Sequence, residues 1–513
     1  MTLSETIFWS LSRSVLIASL AVGPSAIVIR GIHSERSTAS RRLLLMLAMI
    51  PFFVPELLIG FHYRLTATQL SSGASPLLAS VCTELLYSML QFARCVSVGV
   101  AVSLVFPRNE VSAPAQYSWI LLRKIVPIWQ WRSGWMKLQL AGPWTSHLVA
   151  WSVMALMTFQ EFETAARMQI DRHPVAWSVW LFDAHAARQP LSDSLRMVLR
   201  PALCELLLLT PLFSLIIQRR FRSAGHVDSA DLDSMEFECR KINVRQHDLK
   251  RSWRKLSGFV WLIPGVSLLL IWPLITNSRS ATAGLWDMLT QGGALAQSLR
   301  QMLTSTVFAV TATVVAVNIA ITLVRSWSVR SHGTVIVIIA FVLPGLMGSL
   351  VVSLLLLALF QIPMLRWSYD TWLPMLLGQV LVVLPKTVAV VILLMQAADS
   401  WAQHSAKLLL KSDDVRVRTS ASQLLWRMTD GRWLIGCLLI THWCFWDLTV
   451  ASILRPVQFE PVVTRLYNEM HYGRTEALMS LAVLAAFSPV FVWLLAMTVS
   501  FLWSDRLRKL RSL

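Results

Sequence analysis

The chain has 513 residues, of which 55% are hydrophobic and 14% charged, and its mean hydropathy is +0.57. A water-soluble globular protein of this size needs a far more polar surface, so that class is excluded. The net charge of +18 suggests a nucleic-acid partner at first sight, but the Lys and Arg stand in loops between apolar runs, and nucleic acid is set aside.

Apolar runs of roughly 20 residues recur along the chain, the length that a helix needs to cross the hydrocarbon core. They lack the two-residue alternation of a barrel, and open sheet edges cannot stand in lipid, so they read as helices. The fold class is therefore all-α, a polytopic membrane protein with about eleven transmembrane helices in two pseudo-repeated units. In chain order the predicted spans cover residues 7–29, 43–61, 75–106, 138–160 and 198–217, then 258–275, 297–323, 335–360, 372–397, 433–453 and 481–503. The first unit is 1–217, with about five spans. A polar, mixed-charge cytoplasmic linker follows at 218–256, and the second unit is 257–513, with about six spans. The span at 258–275 has no counterpart at the start of the first unit.

With the N-terminus outside and the C-terminus cytoplasmic, roughly two thirds of the Lys and Arg fall in interior loops, as the positive-inside rule requires. The 23 Trp suit anchoring at the two interfaces of a lipid bilayer. The opening residues read as a retained span, since no positive charge precedes Arg13 and no small-residue cleavage site follows a short apolar core. The six cysteines form no Cys-x-x-Cys, so neither a disulfide frame nor a zinc site is expected. His and Met show no ligand spacing either, and no metal or cofactor is expected.

The spans repeat. Met49–Gly60 returns as Ile338–Ser349, placing Pro55 and Pro344 in matching positions. Ser10-Leu11 returns as Ser298-Leu299, Phe159-Gln-Glu161-Phe162 as Phe445-Trp-Asp447-Leu448, and Leu181-Phe182-Asp183 as Leu466-Tyr467-Asn468. The offsets all lie at about 285 to 289 residues, and a duplicated helical unit in a membrane is the plan of a transport pathway between two similar halves.

Two interior loops occupy equivalent places, at 107–137 and 398–432. Both are basic and aromatic. The first carries Trp129, Trp131, Arg132 and Trp135; the second carries Lys407, Leu410, Trp426 and Arg427. A short amphipathic helix with an exposed aromatic suits docking in a groove on another protein. It suits equally a helix lying in the lipid interface.

The order of these features resembles the permease subunit of bacterial ABC importers, above all the fused two-unit permeases of the ferric-iron and thiamine type. The best local match is Phe459-Glu-Pro461-Val-Val-Thr-Arg465-Leu-Tyr467-Asn-Glu-Met-His471-Tyr472-Gly473, supported by Leu384-Pro385-Lys386 and by the acidic-aromatic turns at Glu161 and Asp447. The resemblance implies residence in the bacterial inner (plasma) membrane and a cytoplasmic ABC ATPase dimer docked on the two interior loops. It also implies an exported solute-binding protein on the outer face and a small solute, ferric iron first. The family's interior loop carries Glu-Ala-Ala and then a Gly; here Pro127 and Leu410 stand at the Gly positions, and the corresponding stretch of the first loop, Leu121–Arg132, has no Glu. No Gly-x-x-x-x-Gly-Lys-Ser/Thr occurs, so the chain is not itself an ATP-hydrolysing enzyme.

Ionisable residues inside spans are functional candidates because lipid makes them costly. These are Glu56, Glu84, Arg94, Glu205 and Lys386, with Glu161 and Asp447 near outer helix ends. The expected pathway residues are Pro55, Glu56, Glu161, Pro344, Lys386 and Asp447; the alternative for each charge is an interhelical pair. No catalytic constellation is visible. The competing function is an ATP-independent secondary carrier, or a degenerate permease kept as a scaffold.

Overall fold

A computed structural model describes residues 2–35, 37–71, 75–105, 120–122, 125–141, 144–168, 176–186, 191–223, 258–291, 293–327, 332–396, 400–410, 414–428 and 430–487. Among them the chain is helical throughout, with no strand. Five helices are long and apolar enough to cross a membrane, or up to eight if each of three bent pairs counts as one span. Of the predicted linker at 218–256, residues 218–223 continue a helix and the rest lie outside the described residues, as does the last predicted span beyond Phe487.

Two compact units divide the chain. One comprises Met1–Gln189 and Arg196–Ile275, the other Pro190–Leu195 and Thr276–Leu513. The helix that the sequence grouped with the second half, Gly258–Ile275, packs within the first. Tyr63 donates its hydroxyl hydrogen to the Leu268 carbonyl at 2.7 Å, and Phe92 meets Trp261 edge-on at 6.3 Å.

The first unit contains α1 (Leu3–Ser34), α2 (Thr38–Phe53), α3 (Glu56–Ser71) and α4 (Pro76–Val105). It continues with α5 (Ile128–Ala141), α6 (Thr145–Gln160), α7 (Glu163–Met168) and α8 (Trp177–Ala186). Helix α9 (Leu191–Ser223) and the start of α10 (Gly258–Thr290) follow. Helix α1 opens on a capping box, in which Thr2 and Glu5 satisfy each other's backbone N–H. Arg13 meets Glu84 and Ser25 meets the Val96 carbonyl, each pair 71 residues apart, so α1 and α4 run parallel. Helix α6 runs antiparallel to α4: Cys95 lies 3.1 Å from the Thr158 hydroxyl, while Gly99, one turn later, faces Met154. Gly99 is needed there, because a Cβ would press on Ser25.

Three predicted spans are broken. The run at 43–61 divides at Val54–Pro55, where Val54 is extended and proline has no N–H to continue the ladder. The run at 335–360 divides at Met347–Gly348 with a bend of 117°, Gly348 taking φ +81°, a backbone region that favours glycine. The run at 433–453 divides at Trp446–Asp447 with a bend of 50°. Hydropathy alone does not register such breaks, because the residues on both sides are apolar. Pro385 differs: α14 continues through it.

The second unit contains the rest of α10, then α11 (Ala294–Trp327), α12 (His332–Leu346), α13 (Ser349–Phe360) and α14 (Leu373–Gln396). After these come α15 (Ser400–Leu409), α16 (Val415–Met428), α17 (Asp430–Phe445), α18 (Leu448–Leu454), α19 (Val462–His471) and α20 (Thr475–Phe487). Helices α14 and α17 are antiparallel, with Gln379 bonded to the Cys444 carbonyl at 3.1 Å and Gly436 against Val390 and Leu394. Helix α12 approaches α14 at Gly345, where a Cβ would collide with the Leu381 carbonyl and the Pro385 ring. Gly345→Ala is expected to destabilise the unit by about 1–3 kcal/mol, read as a lower unfolding midpoint in detergent. An unchanged midpoint would contradict this close approach.

Exposed large side chains cover the long helices, including Leu16, Leu20, Leu85, Met89, Leu303 and Val307. In water they would be an aggregation hazard; in hydrocarbon they meet their own kind.

Candidate functional site

Within the first unit two of the ion pairs join charges inside the predicted spans. Glu56, the first residue of α3, forms an ion pair with Arg94 of α4. The break at Pro55 makes this possible by starting a new helix whose first turn meets α4. Arg13 of α1 and Glu84 of α4 lie 3.0 Å apart, with side chains 4% and 15% exposed. Each pair is locally neutral, which removes most of the penalty of holding a charge in lipid. Glu84 and Arg94, both on α4, each have a partner on another helix.

A polar string extends inward from Arg13. Its guanidinium lies 4.6 Å from the centre of the Tyr87 ring, and the Tyr87 hydroxyl donates to Glu161 at 2.5 Å. The Glu161 carboxylate also accepts the N–H groups of Thr164 and Ala165 in the first turn of α7. Three side chains, those of Arg13, Tyr87 and Glu161, thus connect α1, α4 and the α6–α7 break. Elsewhere in the unit, Glu205 of α9 accepts from Gln160 at 3.1 Å.

In the second unit, Asp447 occupies the break between α17 and α18 and accepts the Val450 N–H at 3.1 Å. A carboxylate therefore caps a short helix after a break in both units, at Glu161 and at Asp447. Lys386 lies 5.5 Å above the Trp443 ring, a cation–π contact. Thr313 and Thr441 are hydrogen-bonded at 3.0 Å. Pro344 lies inside α12, two residues before that helix ends, and Pro55 starts α3 by accepting from Leu58 and Ile59. Among the described residues no three His, Cys, Asp or Glu are grouped to hold a metal ion.

A second pair of like bonds involves serines. The N–H of Trp177, first in α8, donates to Ser10 of α1 at 3.2 Å; the N–H of Val462, first in α19, donates to Ser305 of α11 at 3.0 Å. The sequence register sets Ser10 opposite Ser298, whereas hydrogen bonding sets it opposite Ser305. Ser298 is buried, and its hydroxyl has no hydrogen-bond partner. The two serines differ by seven residues, about two helical turns, so a register built on apolar periodicity slips between them without changing face.

The residues singled out in the loops at 107–137 and 398–432 lie on helices, except Leu410, which follows the end of one. Trp131 and Trp135 of α5 stack at 5.8 Å, Arg132 is exposed, and Trp129 is 67% exposed. Ile125 and Ile128, which sequence reading passed over, are exposed beside Trp129; their signal was the apolar content of an otherwise basic loop. In the second loop Lys407 is exposed on α15, and the Leu410 N–H bonds to the Ala406 carbonyl. The side chains of Trp426 and Arg427 lie outside those described. Arg13 and Tyr87 were also missed, although an arginine within the 7–29 run is itself the signal.

Searches against family models, curated proteins and solved structures return no match for this chain.

Proposed function

We propose that the chain is the membrane-spanning permease subunit of an ABC-type importer, with about eleven spans arranged as two repeats of one helical unit. It would form the route for a small solute, ferric iron first, in a bacterial inner membrane. A separate cytoplasmic ATPase dimer drives it and an exported solute-binding protein supplies it. The observation that carries this reading is the recurrence of one local design: a long first helix whose serine receives the opening N–H of a late short helix, and a carboxylate capping the helix after a break. Such a recurrence is expected of a duplicated transporter core, whose two halves rock about a shared route.

The exposed apolar and aromatic side chains Ile125, Ile128 and Trp129 support α5 as a docking element, since aromatic anchors dominate interface energetics. Combined Trp129→Ala and Trp131→Ala substitution is expected to weaken ATPase capture by about 2 kcal/mol or more, roughly 30-fold. Titration of the purified ATPase onto the protein in nanodiscs measures this, and undiminished binding would count against the docking assignment. The second reading, an ATP-independent carrier, draws on the two ion pairs inside the first unit, because paired intramembrane charges also serve ion relays.

A further inference from the structure

The connection between α13 and α14 is compactly folded and mixes polar with large apolar side chains. Residues 361–372 fold into consecutive turns around a short 3₁₀ helix, Arg366–Ser368. The N–H groups of Gln361, Ile362, Leu365, Arg366, Ser368, Tyr369 and Thr371 all find backbone carbonyls, and the Ser368 and Thr371 hydroxyls bond to the Leu365 and Ser368 carbonyls. Asp370 accepts the Val457 N–H at 3.0 Å, tying the segment to the stretch that precedes α19. A loop in water has no need of such extensive internal pairing, whereas at the edge of hydrocarbon each such bond removes an exposed polar group.

Its outward side chains are those of a membrane boundary. Met364 is 84% exposed, Trp367 77% and Trp372 59%, with Tyr369 and Ile362 also exposed. The surface is continuous with the apolar flanks of the adjoining helices, where Leu355 and Leu359 of α13 and Leu373 of α14 are exposed. Helix α13 has 12 residues, about 18 Å of rise, against a hydrocarbon core of about 30 Å. It follows a 117° bend, so it does not lift the segment clear of the bilayer.

We infer that residues 361–372 form an interfacial anchor that lies in the lipid headgroup region, with Trp367, Tyr369 and Trp372 as its aromatic contacts and Met364 reaching toward the acyl chains. Through Asp370 it holds the stretch before α19 at the same membrane surface. This rests on the membrane reading alone and stands whether or not the protein transports. Aromatic side chains at headgroup level fix the depth of a span that is too short to fix its own.

The test places a nitroxide at Met364→Cys, and separately at Trp367→Cys, in full-length protein whose six native cysteines have been replaced, reconstituted in phospholipid nanodiscs. Both sites are exposed, so neither substitution disturbs the packing. Collision rates with oxygen, which concentrates in lipid, are compared with those of a water-soluble nickel chelate. The expected result is oxygen access several-fold above nickel access at both sites. Nickel access equal to that of a free label in water would overturn the inference and place the segment in water.

Discussion

Glu84→Leu will destabilise the first unit by about 3–5 kcal/mol, because it strands the Arg13 guanidinium in an apolar interior. Arg13 is almost completely buried, and Glu84 meets it with both carboxylate oxygens, at 3.0 and 3.3 Å. What remains is the face of Tyr87, which compensates only part of a charge. The paired replacement Arg13→Leu with Glu84→Leu is expected to fall within about 2 kcal/mol of the parent, since a buried ion pair exchanged as a whole for apolar side chains is often close to neutral. Unfolding midpoints of the three proteins in one detergent decide the matter. Equal losses in the single and the double variants would mean that the pair does not act as a unit.

The second large effect is expected at Glu161. Glu161→Ala orphans three buried donors at once, the Tyr87 hydroxyl and the N–H groups of Thr164 and Ala165. Unsatisfied buried donors cost about 1–3 kcal/mol each and do not add fully, so a loss of about 4 kcal/mol is expected. Asp447→Ala removes one helix-capping bond, to Val450, and a loss of about 1 kcal/mol is expected. The contrast is the informative part: the two acids share a capping position, but only Glu161 is also wired to α4. Similar losses at both sites, in the same unfolding measurement, would contradict that wiring.

These two sites also mark how far the sequence carries. Glu161 and Asp447 are legible because an acid followed by a short apolar helix is a local signal, and capping needs only the next three or four residues. Their shared position at helix breaks follows from the same signal. The partners of Glu56 and Glu84 are not legible, because Arg94 and Arg13 reach them only through the packing of separate helices. The parallel course of α1 and α4 in turn depends on how α2 and α3 bend at Pro55. Proline also has two outcomes here. At Pro55 the helix ends, whereas at Pro385 it continues, and the difference is tertiary: the Pro385 ring packs close to Gly345. The serine register shows the opposite failure, in which a clear periodicity fixes the helix face and leaves the position along it undetermined.

The ion pairs bear on mechanism through their geometry. A charge aimed at a solute route would present an open valence to it, whereas Glu56 and Glu84 are each engaged by an arginine. In the proposed permease they act as struts that hold α1, α3 and α4 together while the units move, and the solute meets other groups. Glu56→Gln should then lower stability more than it alters solute affinity.

Reconstituted uptake tests the central claim most directly. Proteoliposomes holding this chain with the proposed ATPase and the proposed solute-binding protein are supplied with radiolabelled ferric iron, with and without ATP on the face that the proposal makes cytoplasmic. Accumulation that requires ATP, and that survives collapse of the proton and sodium gradients, is the predicted result. Accumulation that ignores ATP and ceases when those gradients are collapsed would contradict the account and identify a secondary carrier.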